Sequence, residues 1–184
     1  MSDNRTKIIE IAETMVRSGG YNGFSFREIA AQIGIKSSSV HYYFPTKEAL
    51  ALEVAERYTT DFFAALGDPN SANGTTPEKL RHYCSVFQSA FESSGRACLC
   101  GMLSNEVALL PESVRLAVIE FVNANISWLK NALSPATGDN KTSAAKTIYC
   151  GLEGAMSAAA LTKDASWIED VASSTLASIL GEEG

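Results

Sequence analysis

Apolar positions recur along the chain with the 3.6-residue period of amphipathic helices, and glycine and proline cut the pattern into helix-length pieces. Ile8, Ile11, Ala12, Met15 and Val16 form the stripe of a first helix over 6–18, which Gly19-Gly20 ends. Ser25-Phe26-Arg27-Glu28 has the form of a capping box with Ser25 as N-cap. Phe24 and Ile29 stand at the two positions of a hydrophobic staple. This second helix is short, ending near Ile33 before Gly34. A third short helix runs from about Ser37 to Phe44. Pro45-Thr46 stops it and caps a long fourth helix, about 47–66, with Leu50, Val54, Tyr58, Phe62 and Leu66 facing inward.

Residues 67–75, GDPNSANGT, form a polar, turn-rich linker and the best boundary in the chain. Thr76-Pro77 reads as an N-cap followed by proline at the first helical position, opening a helix to about Ser93. A loop, SSGRACLCG, leads to a shorter apolar helix at about 101–109. Pro111 then opens a long helix through Leu133, and the loop SPATGDN precedes helices at about 141–162 and 165–180. No alternating strand pattern and no internal repeat is present. The expected fold is all-α: a three-helix N-terminal domain over 1–50, a connecting helix over 46–66, and a helical bundle over 67–184.

Composition agrees with a packed protein. The 184 residues are 46% hydrophobic and 20% charged, enough to bury a core. Mean hydropathy is +0.00 and no apolar run reaches the ~18 residues of a membrane span. The charged start, MSDNRTKIIEIAE, is unlike a secretory signal, and four cysteines at irregular positions do not form a disulfide framework. A soluble cytoplasmic protein without membrane association is expected. The net charge of −6 is unevenly spread. Residues 1–60 hold seven Lys/Arg and seven Asp/Glu, whereas 61–184 hold eight and fourteen. A neutral first third is compatible with a local basic face on an acidic body.

The second and third helices, joined by Ile33-Gly34-Ile35-Lys36, have the lengths and the glycine turn of a helix-turn-helix. Val40 and Phe44 face inward, which turns Ser38, Ser39, His41, Tyr42 and Pro45 outward or to the shoulders. Hydroxyls, an imidazole and a phenol suit base edges and phosphate oxygens better than they suit a solvated face. Arg27, Lys36 and Lys47 lie at or just before the starts of three helices. A cation there opposes the helix dipole by roughly 0.3–1 kcal/mol unless a phosphate occupies the helix start. The competing reading is that Glu28 and Glu48 neutralise two of these cations and nothing binds.

The run FSFREIAAQIGIKSSSVHYYFPTKEALALEV, after a first helix that ends in a Gly-rich turn, resembles the DNA-binding domain of the TetR family of bacterial transcriptional regulators. The matching features are S-x-R-x-I-A, A-x-x-x-G-I and V-H-Y-Y-F-P-T-K-E-A-L, over about residues 6–55. The resemblance implies phosphate contacts by Tyr42 and Lys47. It places Ser37, Ser38, Ser39 and His41 in or near the major groove; Ser25 and, from their places at helix starts, Arg27 and Lys36 are further candidate DNA contacts. Tyr43 stands where many members have histidine. A palindromic operator read by a homodimer is expected, because one short recognition helix reads too few base pairs. The last two helices are the expected interface; Ala, Gly and Ser over 144–161 permit close approach.

The family also implies a small-molecule inducer bound in the C-terminal bundle, and a repressor released by it. Candidate ligand contacts are Tyr83, Phe87, Phe91, Leu103, Phe121, Trp128 and Tyr149, although aromatics at helical spacing are more often core. Glu106 and Glu153 either face a pocket, binding a polar or cationic ligand, or point to solvent, which is the favoured reading. Cys98 and Cys100, just before the helix at 101–109 and beside Arg96, are candidate redox or electrophile sensors; inert packing thiols are the alternative. No cofactor or metal site is expected, since C-x-C with no second Cys/His pair lacks zinc spacing. An enzyme is disfavoured by the absence of nucleophile-elbow, P-loop and dinucleotide motifs. An all-α protein-interaction module is the remaining alternative.

Overall fold

The computed structural model describes residues 4–70, 74–133 and 140–180. Helices are the only extended elements among them: α1 (Asn4–Gly19), α2 (Phe26–Ile33), α3 (Ser37–Tyr43), α4 (Lys47–Leu66), α5 (Thr76–Glu92), α6 (Leu99–Ser104), α7 (Glu112–Ala132), α8 (Lys141–Thr162) and α9 (Ser166–Leu180). A single 3₁₀ turn, Tyr21–Gly23, separates α1 from α2.

Local chemistry explains the ends. Ser25 Oγ accepts the Glu28 backbone N–H at 3.2 Å, capping α2, and its hydroxyl donates to Glu28 Oε2 at 2.6 Å. Gly34, at φ 79°, closes α2 in the left-handed region, where a side chain is disfavoured. Gly34 and Ile35 both donate their backbone N–H to Ala30 O at 3.0 Å. Thr46 Oγ1 accepts the Ala49 N–H at 3.0 Å and starts α4.

The starts of α5 and α6 differ from the sequence reading. Thr75, not Thr76, caps α5: its backbone N–H donates to Glu78 Oε2 at 2.7 Å, so Pro77 sits one position deeper. The proline pattern fits either register, and the Glu78 carboxylate selects one. The helix expected at 101–109 is α6, which begins at Leu99 and ends at Ser104. Cys100 therefore lies inside its first turn rather than before it. The loop SPATGDN falls mainly outside the described residues.

Two compact units form. The first comprises α1–α3, α4 as far as Asp61, and Leu99–Phe121. Its core is Ile8, Ala12, Val16, Phe24, Ile29, Val40, Phe44, Leu50 and Val54, all buried. Burying each large apolar side chain contributes about 1.5–3 kcal/mol, the term that orients α2 and α3. Arg17 is buried beneath the Tyr58 ring and pairs with Glu13 at 3.5 Å. The second unit comprises Phe62–Cys98 and the chain from Val122. There α8 packs on α9, and both pack on α5. Phe62, Tyr83, Phe87 and Trp128 form an aromatic core with ring centroids 5.2–5.3 Å apart.

Candidate nucleic-acid interface

Burial of Val40 and Phe44 decides which side of α3 faces solvent. Ser38, His41 and Tyr42 are exposed, Tyr42 to 83%, while Ser37, Ser39 and Tyr43 are half-buried. Two contacts position these groups. The His41 ring meets Phe26 edge-on at 4.6 Å, and Tyr42 meets Tyr43 edge-on at 5.4 Å. Arg27 and Lys36 are exposed and form no ion pair among the described residues. Ser25 is committed to its cap, so its hydroxyl serves the helix before any ligand.

Lys47 is different. Its ammonium lies over the Tyr21 and Phe24 rings, 5.0 and 4.6 Å from their centroids. Burial lowers its pKa from the ordinary lysine range, and the charges of Glu106 and then Glu28 oppose that shift. The neighbouring Glu48 accepts a hydrogen bond from Ser113 Oγ at 2.5 Å, and Glu28 is held by Ser25. Both hydrogen bonds come from neutral hydroxyls, so neither carboxylate loses its charge, and Glu28 still acts on Lys47.

The proposed ligand residues divide between the units. Leu103, Glu106 and Phe121 belong to the first, and Tyr83, Phe87, Phe91, Trp128, Tyr149 and Glu153 to the second. All but the two glutamates are buried, and Phe121 packs on Tyr58 at 5.8 Å.

Both glutamates correct the favoured solvent reading. Glu106 Oε2 accepts the Tyr21 backbone N–H at 2.5 Å, a partner 85 residues away. Glu153 directs its carboxylate inward from α8, where the Cys98 thiol and Tyr149 hydroxyl donate to it. Its Oε1 is sealed from solvent and meets no donor among the described residues. Burial raises the Glu153 pKa to about 6, the two hydrogen bonds opposing. A long side chain lets a residue look amphipathic in sequence while only its stem reaches solvent.

Asn125, fully buried, escaped the sequence reading. Its Oδ1 accepts the Tyr83 hydroxyl at 2.6 Å. The signal was present: Asn125 sits in register with Phe121, Trp128 and Leu129 on the apolar stripe of α7. Cys98 and Cys100 are each 1% exposed, and burial pushes the Cys84 thiol up to about 11. One groove of about 330 Å³, between α5 and α9, is lined by Arg81, Cys84, Gln88, Glu169 and Leu176 but by none of the proposed ligand residues. No cluster of three metal-ligating side chains occurs among the described residues, and no helix there is long and apolar enough to cross a membrane.

A glycine-turned helix pair presenting hydroxyls, an imidazole and flanking cations is the reading head of a helix-turn-helix DNA-binding protein. Residues 8–54 match the sequence profile of the bacterial regulatory proteins of the tetR family. A TetR transcriptional regulator from Legionella pneumophila is 32% identical, with a TM-score of 0.88 over 95% of this chain and 96% of that one. A TetR-family regulator from Agrobacterium tumefaciens is 25% identical, with a TM-score of 0.86 over 94% and 95%. The transcriptional repressor NemR of Escherichia coli (strain K12) is 25% identical over 134 residues, 71% of this chain and 67% of its own. The reduced form of NemR shares the fold, with a TM-score of 0.76, 21% identity, and coverage of 94% and 95%. The chain belongs to the TetR family: it is a DNA-binding transcriptional regulator, not an enzyme.

Proposed function

We propose that the protein is a cytoplasmic homodimeric repressor that binds a near-palindromic operator and leaves it when an inducer binds the C-terminal part. Residues 1–50 bind DNA, 46–66 connect, and 67–184 hold the inducer and the dimer contact. The observation that carries the DNA reading is the α3 surface, where core burial of Val40 and Phe44 leaves Ser38, His41 and Tyr42 free to meet the groove. Ser37, Ser39 and Tyr43 flank that surface. Arg27, Lys36, Tyr42 and Lys47 supply backbone contacts, and Ser25 caps the helix that carries Arg27.

Selection from a random duplex pool tests this directly. A recovered site with two-fold symmetry is expected, and its affinity falls log-linearly with salt. Absence of any preferred duplex, or a flat salt response, favours a protein-interaction module instead. Substituting Ser38 or His41 by alanine is expected to change the recovered sequence, with each lost base contact costing about 1–3 kcal/mol at its own position. An unchanged consensus would remove these residues from the reading surface.

The dimer reading rests on α8 and α9. Cys150, Gly154, Ser157 and Leu161 are all exposed at i, i+4, i+7 and i+11 of α8. Trp167, 45% exposed, opens the adjoining α9. Gly151 is already used within the chain, since a Cβ there would lie 3.3 Å from Val171 Cγ1. Gly154 has nothing within 4 Å of such a Cβ, so its lack of a side chain has no use inside the protomer.

The inducer reading rests on Glu153. Its unmatched Oε1 suits a hydrogen-bond donor or cation on a small molecule, with Tyr83 and Tyr149 beside it. Cys98, which donates to the same carboxylate, and Cys100 are the candidate thiols for an electrophile; each is 1% exposed, so reaction requires this part of the chain to open. Operator affinity unchanged after N-ethylmaleimide modification would eliminate this route.

Glu153 also has a measurable stability signature. Its folded pKa, about 6, lies above the ordinary 4.5, so the native state holds this proton more tightly than the unfolded chain. The resulting stabilisation is complete below about pH 4.5 and is lost as pH rises through about 6. Relative to Glu153→Gln, the wild type is expected to lose up to about 2 kcal/mol over that window in urea titrations. Parallel pH profiles for the two proteins would refute the buried-carboxylate assignment.

A further inference from the structure

Lys47 does not stand free at the start of α4. Its ammonium rests on the faces of Tyr21 and Phe24, and the backbone N–H of that same Tyr21 donates to Glu106. The Glu106 carboxylate occupies the space above Gly20: a Cβ there would lie 2.5 Å from its Cδ and both oxygens. Gly20 also has φ 70°, so the chain keeps the one residue that admits both the turn and the carboxylate. The segment carrying Glu106 is fixed a second time, because Ser113 Oγ donates to Glu48 Oε1, one residue beyond Lys47. No ion pair within 4 Å joins Lys47 to Glu106 among the described residues. Tyr21 links them, its ring carrying the ammonium and its N–H held by the carboxylate, and the Glu106 charge acts on Lys47 across that link, ahead of Glu28.

We propose that Glu106 is a positioning residue for DNA binding: it draws the Lys47 ammonium back onto the Tyr21–Phe24 platform, so that Glu106 and an operator phosphate compete for one lysine. The inference rests on the reading of Lys47 as a phosphate contact and adds a residue outside the helix-turn-helix that sets its strength. A lysine has a single ammonium on a flexible stem, and binding DNA must give up part of whatever holds it in the free protein. Glu106 thereby lowers affinity for every duplex equally and leaves sequence preference alone.

Glu106→Gln tests this with little structural disturbance, since the amide oxygen still accepts the Tyr21 N–H while the charge is lost. Affinities for the selected operator and for an unrelated duplex, measured by fluorescence anisotropy, are both expected to rise about 3- to 10-fold for the dimer. In a Lys47→Ala background the same change is expected to do nothing. A gain of equal size in that background would show that Glu106 repels DNA at long range, and the positioning role would fall. So would an absence of gain in the wild-type background, provided Lys47→Ala itself weakens binding. If Lys47→Ala changes nothing, the parent phosphate reading fails instead. Glu106→Asp, which keeps the charge but withdraws it by one methylene, provides a second variant with a smaller gain expected, and thermal melts confirm that each variant is folded.

Discussion

Replacing Gly154 by arginine is expected to turn the dimer into a monomer in sedimentation velocity and to weaken operator binding by about two orders of magnitude or more. The argument depends on what the substitution does not disturb. A Cβ at this position meets nothing within the chain, and the site lies mid-helix in α8. Glycine in a helix interior costs about 1 kcal/mol relative to alanine, so arginine favours the isolated helix. The thermal stability of the separated protomer is therefore expected to hold or rise. In the proposed dimer, where Cys150, Gly154, Ser157 and Leu161 meet a second copy, a long charged side chain has no room and no partner. Two half-sites read together are worth far more than one, and separating the protomers forfeits that gain. A variant that stays dimeric with full affinity would place the interface elsewhere. Truncation after Leu133 is a poorer experiment, because α8 and α9 pack on α5 and their removal strips the core of the second unit.

The second large effect is at Lys47. Lys47→Ala is expected to weaken binding to specific and unrelated duplexes alike, by about 100-fold for the dimer if each charged contact is worth about 1.5 kcal/mol. The slope of log affinity against log salt is expected to flatten by about 2, one phosphate per protomer. The consensus recovered by selection is expected to stay the same, unlike that of the Ser38 and His41 variants. Loss of affinity with an unchanged slope would indicate that Lys47 supports the fold by packing on Tyr21 and Phe24 rather than by meeting DNA. The structure makes that alternative concrete, since the aromatic platform is real in the free protein.

The placement of Lys47 shows where reading from sequence stops. Its position at the head of α4 was legible, because Thr46 and Pro45 mark the boundary within a few residues. Its confinement was not. Tyr21 is 26 residues away and Glu106 is 59 residues away, and no periodicity relates them. Glu153 teaches the same lesson: Tyr149, four residues earlier on α8, was within local reach, but Cys98 was not.

Helix ends, turns and inward stripes follow from hydrogen bonds and side-chain spacings that span three or four residues. The order of helices, the glycine turn at Gly34, the Ser25 cap and the outward face of α3 are therefore set by the sequence over short spans. Which carboxylates would be enclosed, which cation would be held, and how α6 and the start of α7 join the amino-terminal helices were decided only by folding. Those outcomes depend on surfaces that meet across dozens of residues, where burial changes the energy of a charge far more than its neighbours in the chain do.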